Sequence, residues 1–466
     1  MAEIKRLHFV GVGGVGMSGI AHVASELGYV VSGSDMKASR YTEQLEQAGI
    51  TVHIGHDAAN VPDDCDVVVV STAIPETNPE VVHARELGIE VWQRARMLAA
   101  LGTGRKTLAA AGTHGKTTTS SMLATMVDAL GLKPTFVVGG IVDAYQSNAG
   151  YGEGDYYVVE ADESDGSFLN LSPYVALVTN VEADHLDHYV GGIDEIRATF
   201  SQFMESVPDE GAVVACGEDP ELVRLARAAA KRSFTYGFGA DCDIHVEGYR
   251  TRGVAALFEV VFPDGRVVSC ELPKNPGRHN ALNAAGVLGV IYALGEDVEA
   301  AAAGLARYSG VRRRFDLRGE AAGITVVDDY AHHPTEIKAT IAAARDLDFS
   351  RVMVLFQPHR YSRTQSLAAE FGEAFDAADC VVVADVYAAG EAPIEGVSGN
   401  TIVQAIEEHG ATLAVYAPTK DEAIAAMAGM VRPGDLVFTM GAGDVTTFGP
   451  VLLTALREGE DARRDA

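Results

Sequence analysis

The chain has 466 residues, of which 47% are hydrophobic and 22% charged, and carries a formal net charge of −29. That length exceeds one ordinary core and, at about 150 residues per domain, implies about three domains. The acidity excludes an extended nucleic-acid footprint, and apolar runs such as Val67 to Val70 are far too short to span a membrane.

Five cysteines with no C-x-x-C pair suggest reduced, buried thiols rather than a disulfide framework or a zinc site. A cytoplasmic protein folded throughout is expected, with no nucleic-acid partner and no membrane insertion.

The first predicted elements lie within residues 1–103. Lys5 to Val10 is a β-rich run leading into Gly11-Val12-Gly13-Gly14-Val15-Gly16, and a helical pattern then continues to Leu27. Gly11, Gly13 and Gly16 fit G-x-G-x-x-G, and Asp35 follows the next strand, Tyr29 to Ser32, at the distance of a ribose-binding acid. Alone, this favours a dinucleotide site, although such a turn accommodates any pyrophosphate. Val67 to Val70 is an apolar strand ending in Ser71-Thr72-Ala73-Ile74-Pro75. Hydroxyl groups there are either ligand contacts at a strand's C-terminal end or turn punctuation. His53 and His56 read as surface or packing residues.

Residues 104–316 open on a strand from Lys106, followed by Gly112-Thr113-His114-Gly115-Lys116-Thr117-Thr118 and a helix starting near Lys116. This is a shortened phosphate-binding loop, with Ala110 where G-x-x-x-x-G-K-[ST] has its first glycine. Backbone N–H groups and the helix dipole favour an anion, Lys116 adds a point charge, and the Thr117 hydroxyl suits Mg²⁺. A plain glycine turn would leave Lys116 at a helix end that disfavours cations. Strands Tyr156 to Val159 and Val175 to Thr179 end in Glu160-Ala161-Asp162-Glu163-Ser164-Asp165 and Asn180-Val181-Glu182-Ala183-Asp184-His185-Leu186-Asp187-His188. If both run parallel beside the phosphate loop, Thr117, Glu160 and His185 form a magnesium site; otherwise these acids are solvated loop ends. Asn280 and Asn283 share a face of a later helix, as a cap or as readers of a purine edge.

In residues 317–466, with Arg312-Arg313-Arg314 just before them, strands Ile324 to Val327, Arg351 to Phe356, Val381 to Ala384 and Leu436 to Met440 alternate with helices. They imply a second Rossmann-like sheet with polar clusters along one edge. These clusters are Asp328-Asp329-Tyr330-Ala331-His332-His333 and Gln357-Pro358-His359-Arg360-Tyr361-Ser362-Arg363, in which Arg360 and Arg363 suit bidentate capture of a carboxylate or phosphate. The three consecutive arginines read as a solvated charge run, and the tail after Leu456 as disordered.

Taken together, GVGGVGMSGIA, SGSD, STAIPETNPE, GTHGKTT, EADESDGSF, TNVEADHLDHY, GRHNALNA, GVRRRFD, DDYAHHPTE and QPHRYSRT, in this order, resemble the Mur ligase family of ATP-dependent peptidoglycan-precursor enzymes. The resemblance covers essentially the whole chain and implies three α/β domains. These are a Rossmann-like UDP-sugar domain (1–103), a central P-loop ATPase domain with a parallel sheet (104–316) and a mobile Rossmann-like domain for the amino acid (317–466).

It assigns Gly13, Gly14, Gly16, Asp35, Ser71 and Thr72 to the UDP-sugar, and Gly112, Thr113, His114, Gly115, Lys116, Thr117, Thr118, Asn280, Asn283, Arg314 and Asp329 to ATP. Thr117, Glu160 and His185 would hold Mg²⁺, with Lys116, Glu160, His185 and Arg314 as the catalytic set. Tyr330, His332, His333, His359, Arg360 and Arg363 would meet the substrate. No lysine lies between Lys133 and Lys231. Several relatives carry a carbamylated lysine in this region, and its absence resembles the alanine-adding branch.

The implied substrates are UDP-N-acetylmuramate, L-alanine and ATP, and the implied assembly is a monomer or a homodimer. The carboxylate would be phosphorylated and then attacked by the amine, with His332, His333 or His359 taking a proton. Other readings are a ligase that adds a preformed peptide to the same sugar and a partner-coupled P-loop NTPase.

Overall fold

The structure is a computed structural model that describes residues 4–183, 188–410 and 412–464. The chain divides into two compact units. One comprises Met1–Gly248, Phe258–Glu271 and Leu282–Ser309, and the other Tyr249–Leu257, Leu272–Ala281 and Gly310–Ala466. Among the described residues, no helix is long and apolar enough to cross a membrane.

The first sheet contains β1 (Arg6–Val10), β2 (Val30–Asp35), β3 (Thr51–Ile54), β4 (Val67–Val70) and β5 (Glu90–Gln93). Their order is β3-β2-β1-β4-β5, all parallel. Every residue of β4 is buried, as expected of a strand covered on both faces. Helices α1 (Val15–Glu26), α2 (Arg40–Gln47), α3 (Pro79–Glu86) and α4 (Arg94–Leu101) connect or follow these strands. A doubly wound sheet of this kind gathers its ligand-binding loops at the C-terminal ends of β1 and β4.

The second sheet contains β6 (Lys106–Ala111), β7 (Thr135–Val142), β8 (Ser147–Gly150), β9 (Tyr156–Ala161), β10 (Val175–Val178), β11 (Ala212–Cys216), β12 (Ser233–Gly237), β13 (Ile244–Arg252), β14 (Ala255–Val261) and β15 (Val267–Leu272). In the order β15-β14-β13-β12-β11-β10-β6-β9-β7-β8, strand β6 lies between β10 and β9 and runs parallel to both. The phosphate loop is therefore flanked by the two expected acidic strand ends. The sheet is not wholly parallel, because β8 returns antiparallel to β7. Its helices are α5 (Lys116–Ala129), α6 (Ile193–Glu205), α7 (Pro220–Ala229), α8 (Arg278–Leu294) and α9 (Val298–Leu305).

The third sheet contains β16 (Asp316–Ala321), β17 (Ile324–Asp329), β18 (Arg351–Phe356), β19 (Cys380–Val383), β20 (Leu413–Tyr416) and β21 (Asp435–Met440), ordered β16-β17-β21-β18-β19-β20. Only the β16–β17 pairing is antiparallel. Side chains alternate between two cores: Val352, Val354 and Phe356 enter one, and Met353 and Leu355 the other. Helices α10 (Pro334–Arg345), α11 (Tyr361–Ser366), α12 (Ala368–Ala374), α13 (Gly399–His409), α14 (Lys420–Met430) and α15 (Phe448–Arg464) complete the unit. The tail expected to be disordered instead continues α15 to Arg464.

Candidate active site

The phosphate loop follows β6 and ends at Gly115, the residue before α5. Gly112 has φ +138°, and a Cβ there would collide with the Thr179 hydroxyl, so the turn and the close packing both require glycine. The loop is pinned from β10: the His114 N–H donates to Asn180 Oδ1 at 2.8 Å, and the His114 carbonyl accepts from Thr179 Oγ1 at 2.6 Å and Asn180 Nδ2 at 3.0 Å. Thr113 exchanges hydrogen bonds with the backbone of Asn180 and Glu182. Sequence reasoning gave Thr179 and Asn180 no role. Their position at the end of the strand next to the loop was the available signal.

Lys116 folds back over the loop, donating to the carbonyls of Gly112 at 2.8 Å and Thr113 at 3.1 Å, and its Nζ lies 2.8 Å from Glu163 Oε2. Burial pushes the Glu163 carboxyl up to about 7 even though Lys116 opposes the shift. Burial also disfavours the charged lysine, but Glu163, Asp162 and Glu160 outweigh it and hold Lys116 above its ordinary value. The same ion pair stabilises both charges, so the asymmetry comes from burial, with side-chain exposures of 13% for Lys116 and 2% for Glu163. Glu163 is the member closer to taking a proton.

Glu160, the penultimate residue of β9, has different partners. The Thr117 hydroxyl donates to its Oε1 at 3.0 Å, and its Oε2 accepts from the Gly139 N–H at 2.6 Å and the Ser120 hydroxyl at 3.4 Å. Two hard oxygen donors, a threonine hydroxyl and a carboxylate, thus meet at the start of α5, a donor set that fits Mg²⁺. The third expected ligand, His185, lies outside the described residues, as do Asp184 and Asp187. Thr118 is buried in the first turn of α5, and its carbonyl accepts from Ser121 Oγ. Asn283 faces the turn at Gly115, where an added Cβ would lie 3.2 Å from Oδ1. Asn280, expected as a cap or a purine reader, donates back to the Pro276 carbonyl at 2.8 Å.

In the first sheet, the Gly13 N–H donates to Asp35 Oδ2 at 2.9 Å, and Gly14 caps α1 without a side-chain bond. Ile74, in the segment after Ser71 and Thr72, packs against Gly11 and brings that segment beside the glycine turn. Beneath the turn lies a buried network. Glu80 accepts from the Ser34 hydroxyl at 2.5 Å and Asn60 Nδ2 at 2.7 Å, with His8 Nε2 at 3.4 Å. Burial raises the Glu80 pKa, but these partners prevail and take it down to about 2. His56 Nδ1 lies 3.0 Å from Ser34 Oγ, in agreement with its expected packing role.

In the second unit, three strand ends meet. Arg313 donates to the carbonyls of Gly441 at 2.6 Å and Gly443 at 3.1 Å, and its guanidinium lies over the Tyr330 ring. The expected solvated arginine run is therefore partly structural: Arg313 and Arg314 are 23% and 25% exposed, and the backbone takes positive φ at Arg313 (+63°) and Phe315 (+50°). Arg314 Nη1 lies 3.5 Å from Glu336 and also faces Tyr330. Asp329 accepts from the backbone N–H groups of Phe315 and Ala331, both at 2.8 Å. Burial pushes its pKa up to about 6, while Arg314 opposes the shift. His332 Nδ1 is 3.0 Å from the Tyr330 carbonyl and 3.2 Å from Glu336, and His333 caps α10.

The His359 ring contacts those of His332, at 5.8 Å, and Tyr387, at 5.7 Å, so two of the expected substrate residues, His332 and His359, lie side by side. Its Nδ1 is buried with no hydrogen-bond partner among the described residues. Burial, with the nearby His332, Arg363 and Arg360, lowers its pKa to about 4. Arg360 adopts φ +70°, with its Nε 4.0 Å from Glu391, and Arg363 follows in the first turn of α11. Tyr387 and Glu391, which help hold this loop, carried no motif in the sequence.

Comparison with known proteins agrees with this arrangement. The Mur ligase family catalytic domain matches residues 6–106, the Mur ligase middle domain 110–291, and the Mur ligase glutamate ligase domain 313–443. A UDP-N-acetylmuramate–L-alanine ligase of Pelobacter propionicus is 46% identical over 98% of this chain and 99% of its own. One of Nitratidesulfovibrio vulgaris is 48% identical over 96% of this chain and 98% of its own. The crystal structure of UDP-N-acetylmuramate-alanine ligase from Thermotoga maritima superposes with a TM-score of 0.79 at 29% identity, covering 97% of this chain and 99% of that one. With three successive domains matched, near full-length relatives, and the phosphate loop set between two acidic strand ends, the chain belongs to the Mur ligase family.

Proposed function

We propose that the protein is an ATP-dependent ligase that joins L-alanine to the carboxylate of UDP-N-acetylmuramate, releasing ADP and phosphate, in the cytoplasmic synthesis of peptidoglycan precursors. The observation that carries this reading is the meeting of Lys116, Thr117 and Glu160 at the start of α5, in a chain whose near full-length relatives bear that activity in their names. Residues 1–103 bind the UDP-sugar through Gly13, Gly14, Gly16, Asp35, Ser71 and Thr72. Residues 104–316 bind ATP, and residues 317–466 bind the amino acid.

A carboxylate is a poor acyl donor, so its oxygen first takes the γ-phosphoryl group of ATP, giving an acyl phosphate and ADP. Lys116 leaves Glu163 to neutralise the phosphates, while the loop amides position them. Thr117 and Glu160, together with His185, would hold Mg²⁺, which when bound supplies further charge neutralisation. Arg360 and Arg363 hold the alanine carboxylate. A ring nitrogen of His332 or His359 accepts the ammonium proton, and the free amine displaces phosphate to form the amide.

The test is an incubation with ATP, Mg²⁺, UDP-N-acetylmuramate and equal amounts of L-alanine and an L-alanyl tripeptide, with products identified by mass. The alanyl amide is the expected product. A tripeptide adduct would instead make the protein a peptide-recycling ligase.

A further inference from the structure

Tyr387 lies in the segment after β19, beside His359 but outside the apolar cores of its unit, and is 40% exposed. Its ring stacks on that of His359, with centroids 5.7 Å apart and planes 10° apart, while the His332 ring meets His359 edge-on at 5.8 Å. The main chains are joined as well: the Tyr387 N–H donates to the Pro358 carbonyl at 2.8 Å, and the Arg360 N–H donates to the Tyr387 carbonyl at 2.9 Å. Arg360 takes φ +70°, a strained backbone for a residue with a side chain, so this bridge holds a turn that would otherwise relax.

A histidine that handles protons is ordinarily aimed through its second nitrogen, by a hydrogen bond to a carboxylate or a carbonyl. His359 lacks that anchor, since its Nδ1 is buried with no hydrogen-bond partner among the described residues. Packing must therefore set the plane of the imidazole, and Tyr387 supplies the parallel face. The Tyr387 ring is itself closely packed, because a Cβ added at Gly443 would lie 2.7 Å from its Cγ.

Building on the proposed amino-acid site, we infer that Tyr387 is a positioning residue for the ligation, whose ring fixes the plane of the His359 imidazole and shields it from water, leaving Nε2 to meet the amino acid. The side chain carries this role and the main chain does not, because both backbone bonds survive a change of side chain. The charged and titratable groups around His359 are His332 ahead of α10, Arg360 and Arg363 on its own segment, and Glu391 after β19. None of them is altered by a substitution at Tyr387.

Steady-state rates of the full chain test this, measured across pH with ATP, Mg²⁺ and UDP-N-acetylmuramate saturating and L-alanine varied. Tyr387→Ala should lower kcat/KM for L-alanine about 10- to 100-fold, as for a misplaced reacting group, while changing the KM for ATP less than about 2-fold. The acid limb of that profile should also move up by about one pH unit or more, because an imidazole opened to water charges more readily than one that burial holds down at about 4. Tyr387→Phe keeps the stacked ring and should restore kcat/KM to within about 3-fold of wild type, with the acid limb unmoved.

Unaltered kcat/KM in Tyr387→Ala, an equal loss in Tyr387→Phe, or a loss with the acid limb in place would each overturn the inference. A His359→Ala variant that keeps full kcat/KM for L-alanine would instead overturn the underlying assignment of His359 to the amino-acid site.

Discussion

The glycine turn after β1 and the phosphate loop after β6 share a strand, a turn and a helix, yet they are finished differently. The phosphate loop carries its own cation, Lys116, and is closed by Thr179 and Asn180 from the next strand. The glycine turn has no cation of its own: Asp35 accepts its Gly13 amide, and Arg94 arrives from another helix. Glycine spacing reports only that backbone N–H groups are presented to an anion. Which anion binds is decided by side chains brought in by strand order.

The largest effect should come from removing the internal cation. Lys116→Ala is expected to lower kcat by about 10²- to 10³-fold, the scale for losing one preorganised group on developing charge. UDP binding should stay near wild type, and loss of both would mean that the two turns are not separate sites.

A second contrast lies beneath the glycine turn. The folded-state pKa of Glu80 is about 2 against an ordinary 4.5, so the folded protein binds its proton less readily than the unfolded chain does. The resulting stabilisation, about 3 kcal/mol, is fully present above about pH 4.5 and is lost as the pH falls from there towards 2. Denaturant titrations across that range should show Glu80→Gln losing most of this acid-side slope; an identical slope in wild type and variant would remove Glu80 as its source.

The glycines themselves sharpen the comparison. Gly112→Ala places a Cβ against Thr179 at positive φ and should destabilise by about 2 kcal/mol. Gly14→Ala, at φ −72° with the Gly11 carbonyl oxygen 3.6 Å from the added Cβ, should shift stability by less than about 0.5 kcal/mol. Equal melting temperatures for the two variants would contradict the packing drawn here. Asn180→Ala, which removes bonds to both the N–H and the C=O of His114, should cost about 1 kcal/mol and loosen ATP binding modestly.

The backbone of both sites was legible in the sequence because Gly-Lys-Thr and G-x-G-x-x-G mark local turns. Glu160 could be placed for a similar reason, as it follows a wholly apolar strand. The partners were not legible. That Glu163 meets Lys116 depends on β9 lying beside β6, and that Arg94 reaches Gly16 depends on the order of the first sheet.

Composition also misled at Arg313, because an exposed cation run and one that ties down the carbonyls of Gly441 and Gly443 have the same sequence. The antiparallel β7–β8 pair escaped notice because Gly139 to Gly150 carries little hydrophobic pattern. Gly139 nonetheless proves to be a contact of Glu160.

The most direct test of two turns serving one ligation is phosphate release from ATP and Mg²⁺, measured with UDP-N-acetylmuramate and L-alanine supplied separately and together. Release that needs both and yields the alanyl amide, and that Lys116→Ala slows by about 10²- to 10³-fold, is the predicted result. Release indifferent to the UDP-sugar and the amino acid would contradict it and leave a nucleotide hydrolase that needs another partner.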